Sequence, residues 1–324
     1  MRVYLDAGSA KAARPEIDMN WRWKARIQNT VAALPRSNDL YFWLQRSVGN
    51  LRPGRHSPLE WFTAASQIAS WIEEAGRTIA GKSFLEVGTG RTVDLPLGLW
   101  LCGAGQVTTI DLNPYLSDAL VKESLDFIRM HEQETLEVLG GRGQERLRTL
   151  VNFKGDLHAL LALAGIVYKS PADATSLDFP AASIDFHVSY AVLEHMPREI
   201  IEGTLSEARR VLRPDGLLLH VIDPSDHFSH DDESITAINF LQFSEDQWRR
   251  LAGNRFMYHN RIRAHEYVQL FEEAGFKILL NKQITDDRAL SALQNGFRLD
   301  PRFQKINVEQ LAVRNITLVA GIAA

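Results

Sequence analysis

Hydrophobic positions along the chain change period repeatedly. From Ser83 to Val87 they are bulky or alternate, as in a buried strand. The turn Gly88-Thr89-Gly90 follows, then an apolar run from Val93 to Cys102 that reads as a helix. The alternation recurs. Gln106 to Asp111 predicts a second strand, and Leu116 to Leu139 a single long helix broken by Gly140 to Gly143. Arg146 to Gly165 reads as helical or irregular, and Ile166 to Lys169 as a short strand. Ile184 to Ser189 and Gly216 to Asp223 are further strands, separated by a helix over Glu199 to Leu212. A helix over Glu266 to Ala274, stopped by Gly275, precedes two closing strands, Phe276 to Leu280 and Ile316 to Ile322. Strands separated by helical crossovers imply an α/β fold: a doubly wound seven-stranded sheet, mostly parallel, with the last strand antiparallel.

Two regions fall outside this rhythm. Residues 1–80 carry Trp21, Trp23, Trp43, Trp61 and Trp71, with helices predicted over Arg22 to Leu34, Asp39 to Val48 and Pro58 to Ile79. They read as a helical cap, either a lid with Arg55 and His56 at its rim or an interface in a homo-oligomer. Residues 81–324 form the main domain, with an acceptor-side insert at 224–264 that starts polar, Asp-Pro-Ser-Asp-His-Phe-Ser-His-Asp-Asp from Asp223.

Composition narrows the function. A net charge of -4 over 324 residues gives no basic stripe for nucleic acid. Cys102 is the single cysteine, so a disulfide framework and a thiolate metal site are excluded and a cytoplasmic setting is expected. No run reaches membrane-spanning length.

The glycine turn carries the chemistry. Gly88 lets the chain turn and Gly90 lets the backbone approach a ligand. Asp111 lies about twenty residues past the glycines, where a carboxylate can accept both hydroxyls of a ribose. It also suits helix capping ahead of Asn113-Pro114. A dinucleotide site would need glycine at Val93, and Glu86 suits a cationic amine better than a pyrophosphate.

The order of motifs resembles that of class I S-adenosylmethionine-dependent methyltransferases, well over residues 80–225 and in outline over 265–322. Their acidic-x-Gly-x-Gly motif is similar to Glu86-Val87-Gly88-Thr89-Gly90, although Thr92 stands where a third glycine is often seen. The acidic residue closing strand 2 matches Asp111, and the strand-end aspartate followed by a small residue matches Asp173-Ala174. The strand leading to a Leu-Glu-His turn matches Asp185 to His195, and Leu-Arg-Pro-Gly-Gly is matched by Leu212-Arg-Pro-Asp-Gly216. The resemblance implies a Rossmann-like fold and S-adenosyl-L-methionine as cofactor. Glu86 would meet the methionine amine, Gly88, Thr89 and Gly90 the methionyl-ribose portion, Asp111 with Leu112 the ribose side, and Asp173 with Ala174 the adenine. Tyr190 reads either as lining the methyl-transfer centre or as a core tyrosine with a satisfied hydroxyl.

Acceptor residues belong at the carboxyl ends of strands 4 and 5. His195 reads as a base or as a backbone-bonded histidine of the turn. For Asp223 to Asp232 three readings stand: His227 or His230 as general base oriented by Asp223 or Asp226, a divalent-cation site, or a solvated loop. No metal is predicted. His220 reads as a packing histidine, and Arg261 and Arg263 as a grip for hydroxyls or an anion, or as surface salt bridges. The insert looks like that of methyltransferases accompanying glycosyltransferases. This favours O-methylation of a small-molecule or glycan acceptor. N- or C-methylation of a natural-product metabolite and a non-catalytic cofactor-binding role are the alternatives. The family's Asn-Pro-Pro-Tyr motif for flipped bases is absent, with Ser189-Tyr190-Ala191-Val192 in its place.

Overall fold

The computed structural model describes residues 20–32, 34, 42, 46, 56–254 and 257–323. Of the predicted helix at 39–48 only residues 42 and 46 are described, and Trp43 and Arg55 lie outside the described residues.

Seven strands form one sheet in the order β3-β2-β1-β4-β5-β7-β6. They are β1 (Ser83–Val87), β2 (Gln106–Ile110), β3 (Ile166–Lys169), β4 (Ile184–Tyr190), β5 (Leu212–Ile222), β6 (Phe276–Thr285) and β7 (Val313–Ile322). The first five pair in parallel, and β7 runs antiparallel to both β5 and β6. The expected sheet is therefore present, and the chain direction reverses its winding between β1 and β4. Ligands on such sheets sit at that switch point, outside the carboxyl ends of the strands.

Alternation places the two faces. Leu217, Leu219 and Val221 of β5 enter a core with Phe84 and the helices Leu59–Glu74 and Asp94–Leu101. Leu218 and Ile222 enter a second core with the helices Arg198–Val211 and Ala264–Glu273. Gly98 permits the close helix contact on the first face, since a Cβ there would lie 2.7 Å from Ala65 Cβ. His220 is a buried packing histidine, as expected, with Nδ1 2.5 Å from Ser189 Oγ.

A third core joins three stretches of sequence. Trp21 and Ala25 of the helix Trp21–Ala32 pack with Phe228, Phe240 and Trp248 of the insert, and with Leu293, Phe303 and Leu311 from the β6–β7 connection. The first turn of that helix is held by Asp232, which accepts from Trp21 N at 2.8 Å, and by the ion pair of Lys24 with Asp231. The amino-terminal region is thus divided. Of its described helices, Trp21–Ala32 packs on the insert and Leu59–Glu74 on the sheet. His56 turns inward, its Nε2 2.9 Å from both Asp94 Oδ2 and Ser124 Oγ.

One expectation is corrected. Leu116 to Leu139 is two helices, Asp118–Met130 and Glu132–Val138. His131 leaves helical geometry at φ -127 and ψ 42. Its ring stacks back on Phe127 at 4.2 Å, and its Nδ1 lies 3.2 Å from Glu134.

Candidate functional site

Five loops meet at the carboxyl edge of the sheet. The glycine turn after β1 has left-handed backbone at Gly88 (φ +93) and Gly90 (φ +68), conformations that favour glycine. A Cβ on Gly88 would strike Val192 Cγ2 at 2.4 Å, so the turns after β1 and β4 are in contact. A Cβ on Gly90 would meet nothing within 4 Å, so the space in front of it is open.

The amides of this turn point inward. Gly88 N and Thr89 N donate to Ile110 O at 2.8 and 3.2 Å, and Gly90 N donates to Asp111 Oδ2 at 2.9 Å. A pyrophosphate cradle needs such amides free. Their use here fits a cofactor without phosphates.

Glu86 is 3% exposed and accepts a bond from the Thr109 hydroxyl. That hydroxyl has one hydrogen, so Thr89 donates to Thr109 in turn, at 2.5 Å. Thr89 thereby spends its hydroxyl on ordering Glu86. Burial pushes the Glu86 carboxyl up to about 8, against the Thr109 bond, and Asp111 and Asp94 raise it further. A buried carboxyl in this state favours a cationic partner such as an amino-acid ammonium.

Asp111 also has its pKa raised, by burial, against amide bonds from Asn113 and Gly90. Each of its oxygens takes one amide and keeps a lone pair for a ligand hydroxyl. Asn113 N donates to Oδ1 at 2.9 Å, but this local turn caps no helix, because the next one starts at Asp118 with Ser117 before it. Leu112 beside it is 68% exposed, an apolar side chain on the rim of the cleft. Ala172 N donates to Asp111 O at 2.9 Å, which brings the Asp173-Ala174 loop alongside. Asp173 is exposed, and the Thr175 amide and hydroxyl hold its carboxyl below the usual range. These residues fit S-adenosylmethionine: a buried acid for its amine, an open glycine, an acid for its ribose and an apolar rim.

Next to this cleft, β4 and β5 deliver a cluster of histidines. Tyr190 is buried against Trp61, ring centroids 5.3 Å apart, and burial raises its hydroxyl pKa. The chain then turns through Ala191 (φ +53) into Leu193–His195. Asn260 clamps that turn, its Nδ2 donating to Leu193 O at 2.7 Å and to Met196 O at 2.9 Å. Through the clamp, His259 lies beside His195, with ring centroids 4.8 Å apart, and beside His227 at 3.9 Å. His227 stacks on His230 at 4.8 Å.

Asp223 anchors the cluster. It is buried and accepts from Ser225 N at 3.0 Å and from Ser225 Oγ at 2.5 Å. Its Oδ2 lies 3.4 Å from His227 Nε2 and 3.3 Å from His230 Nε2. Burial alone would raise its pKa, but His227 and His230 hold it well below the usual carboxylate range. His227 is pushed down to about 4, chiefly by burial, against the pull of Asp223. Glu194, on the turn after β4, is buried with neither carboxyl oxygen hydrogen-bonded. Burial and the Asp223 charge raise it well above its usual range.

Other polar residues of the insert serve the structure. Asp226 accepts from Phe228 N and Asn239 Nδ2, both at 2.9 Å, and takes no part in orienting a histidine base. The expected arginine grip is absent. Arg261 donates to Phe240 O and Phe243 O and pairs with Glu245. Arg263 is fully buried and donates to Pro224 O at 2.6 Å and to Leu311 O and Val313 O at 3.0 Å each. Burial lowers its pKa to about 10. His259 joins the cluster, although the sequence placed it only in a polar-aromatic run with the two arginines, as part of a grip for hydroxyls or an anion.

Residues 61–281 match the family model described as a methyltransferase domain. No curated protein matches the chain. Among solved structures, the chain is similar to the [4+2]-cyclase SpnF, at 20% identity and a TM-score of 0.47, covering 91% of this chain and 97% of that one. It is similar to magnesium protoporphyrin IX methyltransferase from Synechocystis with bound SAH, at 12% identity and a TM-score of 0.46, covering 94% and 100%. A sarcosine dimethylglycine methyltransferase assignment from Galdieria sulphuraria aligns at 15% identity and a TM-score of 0.44, covering 80% and 85%. No helix among the described residues is long and apolar enough to cross a membrane.

Proposed function

Since the chain belongs to the methyltransferase-domain family and uses S-adenosylmethionine, we propose that it methylates a hydroxyl of a small molecule of the sugar or glycoside kind. The observation that carries this reading is the buried Asp223 carboxylate 3.3 Å from His230 Nε2, at the end of β5 and one strand from the turn that touches Gly88.

The cofactor supplies an electrophilic methyl carbon on a sulfonium. The chain must hold the acceptor in line and take its proton, because a neutral hydroxyl is a poor nucleophile. His230 is the base and Asp223 stabilises its protonated form. Ser225 Oγ, 3.2 Å from His230 Nε2 and bonded to Asp223, keeps the pair aligned. His227 is not assigned as the base, since burial disfavours its charged form. It positions the ring of His230 by stacking. The resemblance of the insert's sequence to methyltransferases of glycoside pathways favours a sugar or another small hydroxylated metabolite as acceptor.

With an acceptor found by screening glycosides against labelled S-adenosylmethionine, His230→Gln lowers kcat by roughly 10²–10⁴, the usual contribution of a general base. Binding of S-adenosylhomocysteine stays unchanged. Undiminished turnover in the variant would mean an acceptor that needs no base, such as a neutral amine, and would sink the hydroxyl assignment.

A further inference from the structure

The histidine cluster contains more imidazole than a general base requires. Among the described residues, His195, His227 and His259 can each bring a ring nitrogen within 4.8 Å of the others. Asp223, His227 and His230 form a second such group that shares His227.

Two features point to a ligand between them. His259 is 3% exposed, yet neither of its ring nitrogens has a hydrogen-bond partner. Buried polar atoms are nearly always paired, so an imidazole with both nitrogens bare is an unmet demand. His195 is held in the complementary way. Its Nδ1 lies 3.0 Å from Tyr258 O, and a carbonyl can only accept, so Nδ1 carries the hydrogen and Nε2 keeps its lone pair. A carbonyl behind one nitrogen is the arrangement that fixes the tautomer of a metal-ligating histidine. Since Tyr258 and His259 are adjacent, one segment both orients His195 and supplies the next imidazole.

We infer that this cluster binds one divalent transition-metal ion through His195, His227 and His259, with Asp223 as the neighbouring negative charge. The donor set decides the class of ion. Three imidazoles suit zinc, cobalt or nickel, whereas magnesium and calcium prefer oxygen ligands. Nitrogens on a tetrahedral zinc stand about 3.3 Å apart, given Zn–N distances of about 2.0–2.1 Å. Closing from 4.8 Å or less takes side-chain rotation within the cluster. Any Lewis-acid help to an acceptor hydroxyl rests on the function proposed above, but the metal site itself does not.

The test uses untagged full-length protein, stripped with chelator and titrated with cobalt(II). The expected result is one ion bound per chain, with the intense visible absorption of tetrahedral cobalt, displaced by zinc. His195→Gln and His259→Gln abolish that absorption, and the surface variant His131→Gln keeps it. Circular dichroism checks that His259→Gln folds; should it not, the exposed His195→Gln carries the test. S-adenosylhomocysteine binding, measured on the same samples, separates failure of the metal site from failure of the cofactor assignment. Absence of cobalt and zinc binding at micromolar concentration, or undiminished absorption in His195→Gln, would overturn the site.

Discussion

Asp223→Ala is expected to reduce methyl transfer by about 10³-fold while leaving S-adenosylhomocysteine affinity within roughly a factor of two. The carboxylate is buried, and its partners are Ser225, His227 and His230. Removing it deprives the base of the carboxylate paired with it in a medium of low dielectric. Cofactor affinity survives because Glu86 lies on β1 and Gly90 and Asp111 on the turns after β1 and β2, and none of their hydrogen bonds runs to Asp223. Asp223→Asn discriminates charge from shape. It keeps the bonds from Ser225 sterically, but it cannot balance an imidazolium. Near-normal turnover in Asp223→Asn would show that geometry alone matters and would remove the electrostatic role given to this residue.

Arg263→Ala is expected to cost roughly 3–5 kcal/mol of folding stability, read by urea denaturation followed by circular dichroism. The guanidinium ties together Pro224, where the acceptor loop leaves β5, and Leu311 and Val313, where the chain enters β7. Truncation leaves three carbonyls without that donor and opens a cavity among Phe240 and its neighbours. Arg263→Lys should fall between, because one ammonium cannot reproduce a planar fork spanning these carbonyls. A loss under about 1 kcal/mol in Arg263→Ala would mean that water or a neighbouring donor replaces the side chain without cost.

These two residues show what the sequence can and cannot disclose. Several strands are legible because they are short apolar runs next to glycine or an acid, as β2 is between Gly105 and Asp111, whereas β6 runs on past Leu280 to Thr285 through polar residues. The cofactor half is legible for the same reason. Glu86, Gly88, Gly90 and Asp111 are local signals, fixed by one turn and the strand beside it. The acceptor half is assembled from segments far apart in the chain. His195 follows β4, His227 follows β5, and His259 arrives through the Asn260 clamp, so no spacing relates them. Arginine is ambiguous in another way. Arg261 and Arg263 have the residue types of an anion grip, but both turn inward to carbonyls, and only packing decides that. The polar insert divides similarly. Asp223 serves the cluster, Asp226 ties down the loop through Phe228 and Asn239, and Asp231 and Asp232 dock the first helix. The break at His131 was hidden because its flanks both keep helical periodicity.

The most direct measurement of the central claim is calorimetric titration with S-adenosylhomocysteine near pH 7, in two buffers of different ionisation enthalpy. Glu86 is mostly protonated at that pH, with its carboxyl pushed up to about 8. An arriving ammonium lowers that pKa, so a proton leaves as the ligand binds, and the observed heat depends on the buffer. Glu86→Gln removes the buffer dependence, and Asp111→Ala weakens binding by roughly 10²-fold through the lost ribose contacts. The account predicts micromolar binding with proton release, and no comparable binding of NAD. Binding of NAD in place of the homocysteine compound, or proton release that persists in Glu86→Gln, would contradict the assignment of the cleft.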